Sequence, residues 1–377
     1  ILDHAPVQFE NIAGVFMPLV FIGSNDVNED NGKLFNKIWT DASFTGAGTI
    51  KLYLEEILKL LSQSISSSNF DTRRTCAKTL LVVSEKVDNN INDDYKVSLF
   101  DLAIAALNCR TWDGKEMMVE SLVSLVQKFR TKVDLSPELK PRIDDALKTE
   151  MKRNNQAYVR KIIIPYATYL SMFRDDTNSV DNLFLIIDKT IEDSGNENLG
   201  IKEDINKNST DNNSQNDISK KSSKQNIGTE EYILKLIKAC VPFAKISTSN
   251  VNFKTDYLQF ILTKLSSCLA NKYFIYTWRT QLACCDVGKT LIDDYSNVDH
   301  SAMLEVKKLM EAHWQVIVQF CCTKEAIENV KIQVIGFASL LLRKIPDFKP
   351  VVEESMRLLH DIDPSQRLAL ELKNSGF

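Results

Sequence analysis

The residues of this chain that could do chemistry are few and badly spaced for it. Gly288-Lys289-Thr290 has the ending of a phosphate-binding loop, but the motif needs a glycine five residues earlier, where Ala283 stands. It also needs a preceding strand, whereas Leu282 and Cys285 continue a helical pattern. Gly46-Ala47-Gly48-Thr49 comes just before a helix predicted near Ile50. Amides at a helix start can hold an anion, yet glycines and a threonine are equally what a loop and N-cap require. The histidines His4, His300, His313 and His360 share no metal-ligand spacing and no His-Glu-x-x-His. His313, beside Trp314, reads as a helix-surface or packing residue. Cys284-Cys285 and Cys321-Cys322 are neighbours that point about 100° apart on a helix, so both members cannot easily face one ligand. One of each pair is expected in the core and the other partly exposed, with nothing to lower a thiol pKa for redox work. Asp93-Asp94, Asp144-Asp145, Asp175-Asp176 and Asp293-Asp294 sit at predicted helix ends. Acids there suit the helix dipole, whereas acid–base catalysis needs carboxylates that converge. Lys220, Lys221 and Lys224 make a small basic cluster that could serve nuclear import or docking, set among acids that favour a solvated loop. The expectation is a non-enzyme with no catalytic residue, no cofactor and no metal.

The elements that would have to position such groups are helices. Of 377 residues, only 12 are Gly and 9 Pro, too little turn punctuation for an all-β fold. Apolar residues recur at helical spacing: Leu54, Ile57, Leu58, Leu61 and Ile65; Cys76, Leu80, Val83 and Val87; Met118, Leu122, Leu125, Val126 and Phe129; Leu139, Ile143 and Leu147. Val159, Ile162, Ile163, Tyr166 and Leu170 follow, with a kink expected at Pro165. Later stripes include Leu258, Ile261, Leu262 and Leu265, then Val330, Val334, Phe337 and Leu341, and Pro364 opens a terminal helix. About fourteen helices joined by short turns are predicted.

Residues 193–229 differ from the rest. Eight Asn and six Ser against five isolated strongly apolar residues cannot bury enough surface to offset ordering entropy. The chain is therefore read as helical repeats over 1–192, a disordered Asn/Ser-rich loop over 193–229 and helical repeats over 230–377. Phe70-Asp-Thr-Arg73 and Trp112-Asp-Gly-Lys115 each lead into apolar positions three, seven and ten residues after the base. Arg73 to Lys115 is 42 residues and Lys115 to Arg160 is 45, inside the ~40–47-residue period of HEAT and armadillo repeats. The fold class is thus all-α, an α-solenoid of HEAT-like helix pairs.

Net charge of −4 gives no basic excess for nucleic acid. The apolar run from Val15 to Ile22 is far short of the ~20 residues that cross hydrocarbon, so no membrane insertion is expected. The eight cysteines, with no Cys-x-x-Cys, suit a reducing compartment. Ile1-Leu2-Asp3-His4, lacking a methionine and a basic n-region, reads as part of something longer and not as a signal peptide.

Three stretches resemble the C-terminal region of the proteasome-associated HEAT-repeat adaptor and scaffold family. The most specific is Arg110-Thr111-Trp112-Asp113-Gly114-Lys115-Glu116, similar to that family's Arg-Thr-Trp-x-Gly-Lys-Glu run. Met17-Pro18-Leu19-Val20-Phe21-Ile22-Gly23 followed by Ile38-Trp39-Thr40-Asp41 resembles its apolar-Gly then Trp-Thr-acid pattern. Gly48-Thr49-Ile50-Lys51-Leu52-Tyr53-Leu54-Glu55-Glu56 resembles a third segment, with Lys51 where the family has arginine. The motif-dense part spans about 15–130, and beyond it the likeness is one of helix order. The Asn-rich insertion departs from the Glu/Lys-rich one of other members.

The resemblance implies a protein that binds the 26S proteasome, bridges or stabilises its core and regulatory particles, restrains its activity, and resides in cytoplasm and nucleus. It supplies no catalytic residue. Arg110, Thr111, Trp112, Gly114, Lys115 and Glu116 are expected to be structural, with Trp112 packing between helix pairs and Gly114 permitting the tight lead into a helix. The alternative is a helical-repeat transport receptor or coat-type adaptor.

Overall fold

The computed structural model describes residues 6–42, 46–173, 176–208, 215–245, 254–292, 300–362 and 365–377. Among them every long element is an α-helix and there is no strand. His4, Asp175, Asp293, Asp294 and Pro364 lie outside the described residues, as do the side chains of Lys220, Lys221 and His300. The chain forms two compact units, Ile1–Met172 and Phe173–Phe377.

The first unit contains α1 (Pro6–Gly23), α2 (Glu29–Ala42), α3 (Gly46–Leu52), α4 (Leu54–Ser64), α5 (Phe70–Lys86), α6 (Asp93–Leu107), α7 (Glu116–Lys128), α8 (Arg130–Leu135), α9 (Leu139–Met151) and α10 (Gln156–Phe173). Short polar residues set several starts. Asn69 Oδ1 accepts from the amides of Asp71 and Thr72, and Asn92 Oδ1 from that of Asp94. The apolar stripes read from sequence face inward: Leu61, Leu80, Val83, Leu122, Leu125 and Ile143 have no exposed surface. Gly46–Thr49 lie within α3 instead of preceding it. α10 runs through Pro165 as one helix.

Helices pack on a neighbour and again on a helix further on: α4 on α5 and α6, α5 on α7, α6 on α7 and α9. That double contact is the stacking of an α-solenoid. Side-chain bonds between successive layers carry its period. Arg74 reaches Asp113 across 39 residues, Tyr95 reaches Glu55 across 40, Arg142 reaches Asp101 across 41 and Lys128 reaches the Glu85 carbonyl across 43.

The second unit contains α11 (Thr177–Asn208), α12 (Gln215–Ala244), α13 (Thr255–Leu269), α14 (Trp278–Ile292), α15 (His300–Cys321), α16 (Glu328–Lys344), a short 3-10 turn (Pro346–Phe348), α17 (Lys349–Ile362) and α18 (Gln366–Asn374). The same interval returns: Gln281 to the Phe320 carbonyl spans 39 residues, Trp314 to Ser355 41 and Lys289 to Gln333 44. Between α11 and α13 it stretches, with Lys254 bonded to Asp181 across 73 residues and Lys264 to Glu192 across 72. One helix pair thus holds roughly thirty more residues than the ~40–47 of a plain repeat.

Helices run into the 193–229 stretch from both sides. α11 continues to Asn208 and α12 starts at Gln215. A Cβ on Gly195 would lie 2.7 Å from Tyr273 Cδ1, so α11 and the segment after α13 are in close contact there. Asn198 Nδ2 donates to the Tyr273 carbonyl, and the Asn226 side chain pairs with both the amide and carbonyl of Ile275. These polar residues are held by hydrogen bonds that composition does not report. Glu192 is the ionic tie here. Burial alone would raise its carboxyl, but donors on Lys264, Lys272 and Tyr273 outweigh that and hold it at about 2.

Candidate functional site

The six residues singled out by motif come together in one place, the connection from α6 into α7. Lys115 is the N-cap of α7 and is fully buried. Its Nζ donates to the carbonyls of Leu107 and Cys109, each at 2.8 Å, and lies 2.8 Å from Glu150 Oε2 at the end of α9. Glu150 is equally buried, and takes further bonds from Tyr158 Oη at 2.7 Å and Arg153 Nη2 at 2.7 Å. Arg153 Nη2 also reaches the Cys109 carbonyl at 2.9 Å. One buried carboxylate and one buried ammonium therefore tie α7, α9, α10 and the connecting loop together.

Gly114 stands at φ +107, a backbone that side-chain-bearing residues rarely adopt. A Cβ there would lie 3.0 Å from both Arg74 Cγ and Trp112 Cζ3. The Gly114 amide donates to Glu116 Oε2 at 3.0 Å, closing the turn. Outside it, Arg74 of α5 bonds Asp113, and Lys161 of α10 bonds both Asp113 and Glu116. Trp112 is buried, with its Nε1 lacking a hydrogen-bond partner, so its indole acts by packing. Arg110 is exposed and Thr111 half-buried.

The electrostatics fit a clamp and not a reaction centre. Burial pulls the Lys115 ammonium pKa down, and Glu150 opposes that loss. A lysine with a lowered pKa can be a nucleophile, but this one is fully enclosed and its donors are committed to two carbonyls and a carboxylate. The Tyr158 hydroxyl is pushed well up by burial and by its bond to Glu150, so it stays protonated.

Glu150, Arg153, Tyr158, Arg74 and Lys161 were missed in the sequence. A signal existed for two members of the clamp. Glu150 continues the stripe Leu139, Ile143 and Leu147, and Lys115 heads the stripe Met118, Leu122 and Leu125. A charge in a stripe position needs a buried partner.

The other candidate groups are helix interior. Gly288 lies in α14, where an added Cβ would sit 2.6 Å from Phe337 Cζ. Lys289 bonds Gln333 and Thr290 bonds the Asp286 carbonyl. Gly288→Ala should cost ~1–3 kcal/mol through overpacking, since buried Phe337 cannot swing away. A urea titration showing no loss would mean the α14–α16 contact is looser than described.

Cys284, Cys285, Cys321 and Cys322 are all buried, against the expectation of one exposed member per pair. α14 packs against α12, α13, α15 and α16, so residues a third of a turn apart are both covered. Burial pushes the Cys76 and Cys322 thiols up to about 12, which disfavours thiolate chemistry. Among the described residues no group of three or more His, Cys, Asp and Glu could hold a metal, and no helix is long and apolar enough to cross a membrane. A cleft of about 530 Å³ beside α17 and α18 is lined by Glu353, Met356, Arg357, His360, Asp361 and Leu372 among others.

His313 is a packing residue. It is buried, Nε2 lies 3.1 Å from the Cys284 carbonyl and therefore carries the proton, and Nδ1 has no partner. Burial holds its pKa at about 4 from an ordinary 6.5, the carbonyl bond only partly opposing. Between those values the unfolded chain binds a proton that the folded chain does not. Stability should be complete above pH 6.5 and fall by ~3 kcal/mol towards about pH 4. His313→Gln should flatten that slope in urea unfolding measured between pH 7 and pH 5, and an unaltered slope would assign the proton uptake to other groups.

A family model described as ECM29, C-terminal ARM-like repeats, matches residues 126–365. That is largely the stretch where the sequence resemblance rested on helix order. The Saccharomyces cerevisiae protein named proteasome component ECM29 is 38% identical over 386 aligned residues, covering 100% of this chain and 20% of its own length. The human proteasome adapter and scaffold protein ECM29 is 19% identical over 92% of this chain and 18% of its own. The chain thus spans about a fifth of these relatives. A crystal structure of an engineered protein covers 96% of this chain and 82% of that one at 12% identity, with a TM-score of 0.30 that carries no argument.

Proposed function

The chain belongs to the ECM29 family, and from that premise we propose that it is part of a proteasome-associated scaffold. The observation that carries the reading is the match to that family's C-terminal repeats over 126–365. The geometry agrees with it. The motif residues are spent on holding helix pairs in register, which leaves the outer flanks of the stack for other macromolecules. In this reading the protein bridges or stabilises the core and regulatory particles, restrains their activity, works without catalysis of its own, and occupies cytoplasm and nucleus.

Affinity purification of the tagged full-length protein tests it. Core and regulatory subunits should co-elute together. Elution with one particle only would remove the bridging role, and absence of both would remove the partner and favour a transport or coat adaptor. A fluorescent fusion should fill cytoplasm and nucleus, and confinement to a membrane-bound organelle would contradict that placement.

A further inference from the structure

Three helices of the second unit lie side by side, α12 on α14 and α14 on α16, and their outward stripes are basic. On α12, Lys235, Lys238 and Lys245 share one side. α14 adds Lys289 and α16 adds Arg343. Where this face starts, Glu231 and Glu328 are paired with Arg279 and Arg367. Past those pairs, Asp286 is the one acid on it among the described residues. The patch reverses the charge of the whole chain, which is −4. In the first unit the exposed sides of α4 and α6 carry Glu55, Glu56, Asp94 and Asp101 instead.

Between α12 and α14 the basic face opens into a cleft of about 450 Å³. That lies within the ~300–1,000 Å³ of ordinary ligand sites. Val241 and Val287, both buried, make an apolar floor with Pro242. Lys238 and Lys245 stand on one wall, Asp286 and Thr290 on the other. The two lysines are two helical turns apart, about 10 Å along the axis. Pro242 lies inside α12 and has no amide hydrogen, so the Lys238 carbonyl lacks its usual donor one turn on. The cleft therefore offers two cations, two acceptors in the Lys238 carbonyl and the Asp286 carboxylate, and an apolar base.

We propose that this cleft binds an extended peptide segment of a partner protein in which acidic and aliphatic residues alternate. Alternate side chains of an extended chain point to opposite faces, so the aliphatic ones meet the floor while the acids lie along the lysine rim. At about 3.3 Å per residue, acids two to four apart span both lysines. Backbone amides of the segment can donate to the Lys238 carbonyl and Asp286. A phosphate-rich ligand fits less well. The cleft holds no arginine fork, its floor is apolar, and Asp286 repels a dense polyanion. Such a segment is recognised by its own chemistry, whichever assembly supplies it.

Fluorescence anisotropy tests this with the full-length protein and a labelled peptide of about eight alternating Glu and Val residues. Saturable binding that weakens as salt rises is expected, with none for the Lys-Val counterpart. Lys238→Glu combined with Lys245→Glu should weaken the Glu-Val peptide at least about tenfold and should create binding of the Lys-Val peptide. That gain is one a misfolded variant cannot show. Thr290→Trp, which fills the cleft without changing charge, should also weaken binding, whereas Lys59→Glu on the exposed side of α4 should not. No saturable binding would overturn the proposal, as would an equal loss with Lys59→Glu. Equal binding of a Glu-Gly peptide would reduce the site to bare charge and overturn it too. Tighter binding of single-stranded RNA, lost in the same double variant, would give the face to nucleic acid instead.

Discussion

Lys115→Met should destabilise the first unit by ~3–5 kcal/mol, because it leaves the Glu150 carboxylate buried without its main countercharge. The Leu107 carbonyl loses this donor in the same step, and the Cys109 carbonyl keeps the bond from Arg153. Arg153 and Tyr158 remain on Glu150, which keeps the loss towards the lower end of that range. The double variant Lys115→Met with Glu150→Gln should recover part of it, since the amide needs no countercharge and can still accept from Tyr158. Guanidinium unfolding of four proteins, the parent, Lys115→Met, Glu150→Gln and the double variant, reads the cycle. Additive losses would mean that Lys115 and Glu150 do not act on each other and that the clamp is only proximity.

Leu122→Asp should be worse still, a loss above about 5 kcal/mol. Leu122 has no exposed surface and lies mid-way along α7, which packs on both α5 and α6. The substitution opens a cavity and puts a carboxylate in it, where burial penalises the charge. Against a typical domain stability of ~5–15 kcal/mol, the first unit should be largely unfolded or molten at 25 °C. Circular dichroism and a thermal melt indistinguishable from the parent would show that the α7 stripe faces water.

Much of this architecture was legible because helical stacking writes a simple code. Stripes such as Met118, Leu122 and Leu125 face inward in the structure, and the interval between Arg73 and Lys115 reappears as bonds spanning 39 to 44 residues. What could not be read is long-range and polar. Glu150 finds Lys115 only because α9 is brought under the α6–α7 connection. Asn198 and Asn226 are ordered by a segment after α13 that lies 75 and 49 residues away. The adjacent cysteines were judged on a helix with one covered side, but α14 is covered on several. In each case the deciding partner is distant in sequence, and residue type alone does not name it.

An electron cryomicroscopy map of the full-length protein bound to 26S proteasomes tests the central claim most directly. The helix pairs of this chain should lie against the particle, with their outer flanks in contact with its subunits. Density in which these repeats point away into solvent, with all contact made by other regions, would contradict it.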